Sequence, residues 1–145
     1  MENILLAAHV LAGILFVGPV AVTTSLFPRF ALPAAASAES SGLPVARVLH
    51  RITRTYGILA LVVPVVGLGL AAVQGRLGEI WITIAMVLTA IAGGLLALRI
   101  VPAQRDALDA ALEPSGARTL RMLTGLFNLL WAVVVVLMVV RPGAG

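Results

Sequence analysis

The sequence predicts an all-α membrane protein, a four-transmembrane-helix bundle of up-down-up-down topology. Three observations carry this expectation. Four apolar runs, 4–27, 56–74, 80–101 and 120–140, occupy most of the 145 residues, and each is long enough to cross a hydrocarbon core of about 30 Å at a rise of about 1.5 Å per residue. Backbone in lipid must satisfy its own hydrogen bonds, so the runs must be helices. Hydrophobic residues make up 61% of the chain and charged residues only 11%, against roughly 25% charged in a soluble domain; a water-facing surface cannot be assembled from what is left. One domain spanning 1–145 is expected, with helices at about 4–27, 52–74, 80–101 and 119–141.

Helix one has Glu2 as the only charged side chain before its run. That run exceeds the apolar stretch of about 7–15 residues typical of a signal peptide, so a retained membrane span is expected. Pro19 removes a backbone donor and predicts a kink. The Ala- and Ser-rich stretch 33–44 reads as a connecting loop. From Val45 the pattern turns amphipathic, with Val48, Leu49 and Ile52 on one side and Arg47, Arg51 and Arg54 on the other. This predicts an interfacial segment whose arginines meet lipid headgroups and which leads into helix two. Pro64, Gly67 and Gly69 predict a bend in helix two. The connection from Gly75 to Gly78 is so short that helices two and three should form an antiparallel hairpin. Glu79 suits the positive N-terminal end of helix three, while Trp81 and Tyr56 suit the two interfacial aromatic belts. Helix three carries Gly93 and Gly94, which, with Gly13 of helix one, are candidates for close helix packing. It is expected to continue beyond Pro102 as an amphipathic extension over 104–112. Glu113, Pro114, Ser115 and Gly116 read as a turn before helix four.

The formal charge of +4 comes with ten basic residues, all of them Arg, and they flank the apolar runs. That placement points to topology and lipid headgroups and away from nucleic acid. Arg29, Arg47, Arg51, Arg54, Arg99, Arg105, Arg118 and Arg121 belong to the first and third connections, whereas Arg76 and Arg141 belong to the opposite side. The positive-inside rule then puts the two arginine-rich connections in the cytoplasm and both termini outside. Arg141 has a local reason to stand on its side, at the helix-four C-terminus where free carbonyls and the macrodipole favour a cation. Composition rich in Ala, Val, Leu, Gly and Arg suggests a GC-rich bacterial genome, hence a multi-pass protein of a bacterial plasma membrane. Cysteine is absent, which excludes disulfides, thiolate metal sites, Cys nucleophiles and c-type haem attachment.

Few residues could carry chemistry. His9 lies inside helix one and His50 on the amphipathic segment, and the predicted topology separates them by about 20–30 Å. They cannot share a haem or a metal, and His50 reads as a solvated or headgroup-facing side chain. His9 has two readings. It can be structural, donating to a nearby carbonyl. Alternatively it can ligate haem b or copper, with Met86 and Met138 at comparable depth as soft partners. Gly13, one turn away, would leave room for a planar group. Thr124 and Asn128 form an i, i+4 polar pair suited to interhelical hydrogen bonds. No Asp or Glu lies deep in a span, and phosphate-binding loops, catalytic triads and metalloprotease motifs are missing. No catalytic residue is assigned, and the reading leans away from an enzyme. It favours a structural or accessory component that partners the bilayer, other membrane subunits or a second copy of itself. A haem- or copper-binding module is the alternative, and a small transporter or channel the third reading.

The segment Ala8-His9-Val10-Leu11-Ala12-Gly13-Ile14-Leu15-Phe16-Val17-Gly18 resembles the first-helix signature of small bacterial four-helix membrane proteins of unknown function. These are related to the copper-resistance D (CopD-like) membrane domain. Leu49-His50-Arg51 and the ending Val139-Val140-Arg141-Pro142-Gly143 add to the likeness, which loosely covers the chain. The resemblance implies a four-helix membrane fold and, on His9 alone, the haem-associated histidine of some members of the wider superfamily. The chain departs from the pattern at Ala12, where Gly is usual, at Phe16, where Trp is usual, and at Pro19, where a second Gly is common; these changes narrow and stiffen the space beside His9.

Overall fold

The computed structural model describes residues 1–32, 42–110 and 112–144. Four helices long and apolar enough to cross a membrane account for most of it: α1 (Glu2–Ala31), α2 (Leu43–Val73), α3 (Ile80–Asp109) and α4 (Pro114–Val140). The chain is a helical multi-pass membrane protein. Both termini and the α2–α3 turn lie at one end of the bundle, and the two arginine-rich connections lie at the other. Of the stretch read as a loop, residues 33–41 fall outside the described residues, and Leu43 and Pro44 already belong to α2. Helix four also starts earlier than its apolar run. Pro114 takes the first helical position after extended Glu113, so Ser115 and Gly116 are helical and not part of a turn.

Pro19, Pro64 and Pro102 are absorbed in two ways. Pro19 would collide with the carbonyl of Leu15, and Pro102 with that of Leu98. Each of those carbonyls sits in a widened π turn, Gly13–Val17 and Leu96–Ile100 respectively, so both helices run on. At Pro64 the solution is a break. The Ala60 carbonyl, which loses its usual donor, instead accepts from the Val63 N–H at 3.0 Å, and Leu61 N–H donates to Ile58 at 3.1 Å. These shortened bonds interrupt α2 between Leu59 and Val62. The far end of α2 closes on Gly75, whose φ of +67° is readily adopted only without a Cβ. Arg76 N–H reaches back to the Ala71 carbonyl at 2.9 Å, and Gly75 N–H to that of Ala72 at 3.1 Å, forming a Schellman cap. The hairpin turns there.

Packing is uneven along the bundle axis. The main core lies towards the arginine-rich end, where Phe27 and Ala31 of α1, Ala46 and Leu49 of α2, Leu96 and Ile100 of α3, and Leu120 and Phe127 of α4 meet. Towards the termini a smaller cluster gathers Ala71, Trp81 and Ile82 with Met86 and Met138. Trp81 turns into this cluster, donating its indole N–H to Glu79, and so does not join an outward aromatic belt. The large side chains of the spans mostly face outward, where lipid tails solvate them as well as another Leu would.

The amphipathic start of α2 keeps its arginines exposed and Leu49 buried as the pattern predicts, but the buried face is shifted. The buried face is Ala46, Leu49, His50 and Thr53, whereas Val48 is 56% exposed. The segment packs along α1 and is continuous with the span that follows. The glycines are redistributed too. A Cβ at Gly13, Gly93 or Gly94 would meet nothing within 4 Å, so none of these marks a close helix contact; Gly67 and Gly57 do.

Candidate functional site

His9 lies on the buried side of α1, only 8% exposed. Its position depends on two features of α2 one turn apart. Gly67 presents bare backbone to the imidazole: a Cβ there would stand 2.7 Å from Cε1 and 3.1 Å from Nδ1. Any side chain at 67 would evict the ring. Through that gap Nδ1–H donates to the Val63 carbonyl at 3.0 Å, in the first turn after the break that Pro64 imposes. A carbonyl can only accept, so this bond puts the proton on Nδ1 and leaves the Nε2 lone pair free. Nε2 faces Met138 Sδ of α4 at 3.5 Å. One side chain thus bonds α1 to α2 and touches α4.

Sequence reasoning selected His9, Met86 and Met138, and the structure brings the first and last of these together. Met86 packs with Met138 on the Trp81 cluster, but the sulfur that meets the imidazole belongs to Met138. Arg141, just beyond α4, donates from Nε to the Met138 carbonyl at 3.3 Å, using the free carbonyls at that helix end. Val63 and Gly67 were missed. Only the pairing of Pro64 with a glycine one turn on hinted that α2 exposes a carbonyl there.

The donor set tests the two proposed cofactors differently. The 3.5 Å separation of Nε2 and Sδ, with Gly67 backbone against the ring edge, does not admit a porphyrin between them. A haem b held between His9 and Met138 does not fit. An imidazole whose Nδ1–H is fixed by a carbonyl, beside a thioether, does suit a bare soft cation such as Cu(I). Among the described residues, no three His, Cys, Asp or Glu side chains gather to hold a metal.

His50 is a correction. It is buried, 8% exposed, and its Nδ1 is 3.0 Å from Oε1 of Gln104, itself fully buried on α3. It is not a solvated side chain. About 20 Å of helix rise along α2 separates it from Val63, the partner of His9, so the two histidines belong to opposite ends. Arg47, Arg51 and Arg54 are exposed on the neighbouring face of α2 and line a cleft with His50. Thr124 donates to the Thr24 carbonyl at 3.5 Å and Asn128 to Ser25 Oγ at 3.2 Å, so both polar groups of α4 tie it to α1.

Fold and site together define a class, the small helical membrane protein whose spans are cross-linked by side-chain hydrogen bonds. No protein-family model, curated protein or solved structure matches the chain.

Proposed function

We propose that this protein is a structural or accessory component of a bacterial plasma membrane, acting on or with other membrane subunits and without catalysis of its own. The observation that carries the reading is the use made of the polar groups inside the spans. His9, Thr23, Thr53, Thr124 and Asn128 each bond to a neighbouring helix, an arrangement suited to holding helices together. Gly13, Gly69, Gly93, Gly94 and Gly125 meanwhile have open space beside them, where a partner helix can approach closely. Purification in mild detergent from the native membrane tests this: stoichiometric co-purifying subunits are expected, and a chain that emerges alone after crosslinking in the membrane counts against it.

The same reading sets the arginine-rich end in the cytoplasm and both termini outside. The chain has no cysteine, so single cysteines at Ser115 and Gly143 report orientation directly. Labelling by an impermeant maleimide at 143 alone is expected; labelling at 115 alone inverts the topology.

A second reading is favoured by the 3.5 Å approach of His9 Nε2 to Met138 Sδ and agrees with the resemblance to CopD-like proteins. Here His9 and Met138 hold a Cu(I) ion, which would supply a redox-active or transferable metal, while Val63 fixes the imidazole tautomer and Gly67 keeps its place open. Metal analysis of protein reconstituted with Cu(I) should give about one ion per chain, lost in both His9→Ala and Met138→Leu. Equal copper content in all three proteins removes this reading.

A further inference from the structure

The arginine-rich end contains a cleft of about 420 Å³, within the roughly 300–1,000 Å³ range of small-molecule sites. Arg47, Arg51, Arg54, His50 and Thr55 of α2 line it with the apolar Ile58 and with Leu108 from α3. The three guanidinium groups follow the i, i+4, i+7 spacing of one helix face and converge there. Among the described residues the one ion pair of the chain is Arg76–Glu79 at the opposite end. Among the described residues the cleft arginines thus make no ion pair within 4.0 Å with Asp106, Asp109 or Glu113, carboxylates at their own end. Three exposed guanidiniums on one helix face, with no ion pair among the described residues, raise the local positive potential and attract an anion.

Two further features narrow the anion. Gln104, fully buried, holds the His50 ring by Nδ1, and among the described residues the His50 Nε2 has no hydrogen-bond partner. The arginines can take the oxygens of a phosphodiester in forked pairs, and Nε2, as a lone pair, can accept from a headgroup hydroxyl. Beyond Arg54 the lining becomes apolar at Ile58, and Leu59, Leu61 and Val62 continue an exposed apolar surface along the span. Charge at the helix end, followed by hydrocarbon along the span, matches an amphiphile and not a free ion. We propose that this cleft is a specific site for one anionic glycerophospholipid. Its phosphate lies among Arg47, Arg51 and Arg54, its headgroup hydroxyl meets His50, and an acyl chain runs along Ile58.

Native mass spectrometry of the full chain in neutral detergent tests this with three probes: phosphatidylglycerol, phosphatidylcholine of the same acyl chains, and inorganic phosphate. One phosphatidylglycerol retained per chain, in preference to phosphatidylcholine, is expected. Each arginine near an anionic surface contributes about fivefold to such binding. Arg51→Gln should therefore weaken retention about fivefold and the triple variant R47Q/R51Q/R54Q about a hundredfold. R118Q/R121Q, two arginines at the same end but outside the cleft, should leave retention unchanged. Circular dichroism of each variant confirms the helices. Equal losses in the triple and control variants would reduce the effect to general surface charge and overturn the site. Retention unaffected by the triple variant overturns it too, and binding of inorganic phosphate without lipid preference overturns the lipid assignment.

Discussion

The two ends of this bundle are held together by different means. At the arginine-rich end all four helices share a continuous core through Phe27, Leu49, Ile100, Leu120 and Phe127. At the terminal end the apolar cluster of Ala71, Trp81 and Ile82 comes from α2 and α3, with Met138 of α4 packed on it. There α1 is joined to its neighbours by His9. Lipid tails compete on equal terms for apolar side chains, so helices associate where packing is close or where a hydrogen bond bridges them. The arginine-rich end has the larger core, whereas at the terminal end His9 is the side chain that bonds α1 to α2. Truncating Phe27, which is fully buried, should therefore produce the largest loss. Phe27→Ala is expected to cost about 3–5 kcal/mol in reversible unfolding in mixed micelles, and Ile82→Ala in the terminal cluster clearly less. Equal losses at the two sites would erase the distinction.

Next in size is the fit of His9 against Gly67. A methyl at 67 would sit 2.7 Å from the imidazole Cε1, and since the ring edge is pinned by Val63 it cannot retreat without losing that bond. Gly67→Ala should destabilise by about 1–3 kcal/mol, the usual range for overpacking. Combining it with His9→Ala should be far milder than the sum of the two, because the clash disappears with the ring. Strict additivity would mean that His9 does not occupy the gap.

The four spans and the hairpin were legible in the sequence because length, hydropathy and turn chemistry are local properties. The faces were not. An apolar stripe was expected at Val48, Leu49 and Ile52, yet the buried row is Ala46, Leu49, His50 and Thr53. In water the large apolar residues turn inward; in lipid they can stay outside, and small or polar residues occupy the helix contacts. His50 follows from this shift, as does the outward position of Val48. At the other end His9 and Met138 were singled out from sequence, but their approach depends on Gly67 and Val63, which no periodicity connects to residue 9. Pro19 and Pro64 predicted kinks from their chemistry alone, whereas helix three was expected to continue past Pro102. Whether a helix breaks, as at Pro64, or widens into a π turn, as before Pro19 and Pro102, depends on neighbouring helices.

A polar pair also exists at the arginine-rich end, and it sharpens the contrast because its loss should matter less there. Gln104 is buried with Nε2 unpaired, so part of its stabilising bond to His50 is offset by that orphaned donor. Gln104→Met should cost about 1–2 kcal/mol, since it removes the unpaired amide but leaves the buried His50 Nδ1–H without its acceptor. His50→Ala, which leaves the whole amide buried without a partner, should cost more than Gln104→Met. The reverse order would mean that the amide finds another partner.

The smallest effect is expected where a hydroxyl can fall back on its own helix. Thr23 and Thr53 meet across α1 and α2 with their Oγ1 atoms 2.8 Å apart. Thr53 also donates to the Leu49 carbonyl at 2.9 Å, and Thr23 has the Val20 carbonyl at 3.3 Å. Replacing either by Val keeps the shape and removes the bridge, but the surviving hydroxyl keeps an acceptor on its own helix and is not stranded. A double-mutant cycle on Thr23→Val and Thr53→Val should accordingly give a coupling of about 0.6 kcal/mol, the average for such bonds between membrane helices. A coupling of about 2 kcal/mol or more would show that the bridge does what His9 does at the other end. The arginine-rich half would then depend on hydrogen bonding as well as on its core.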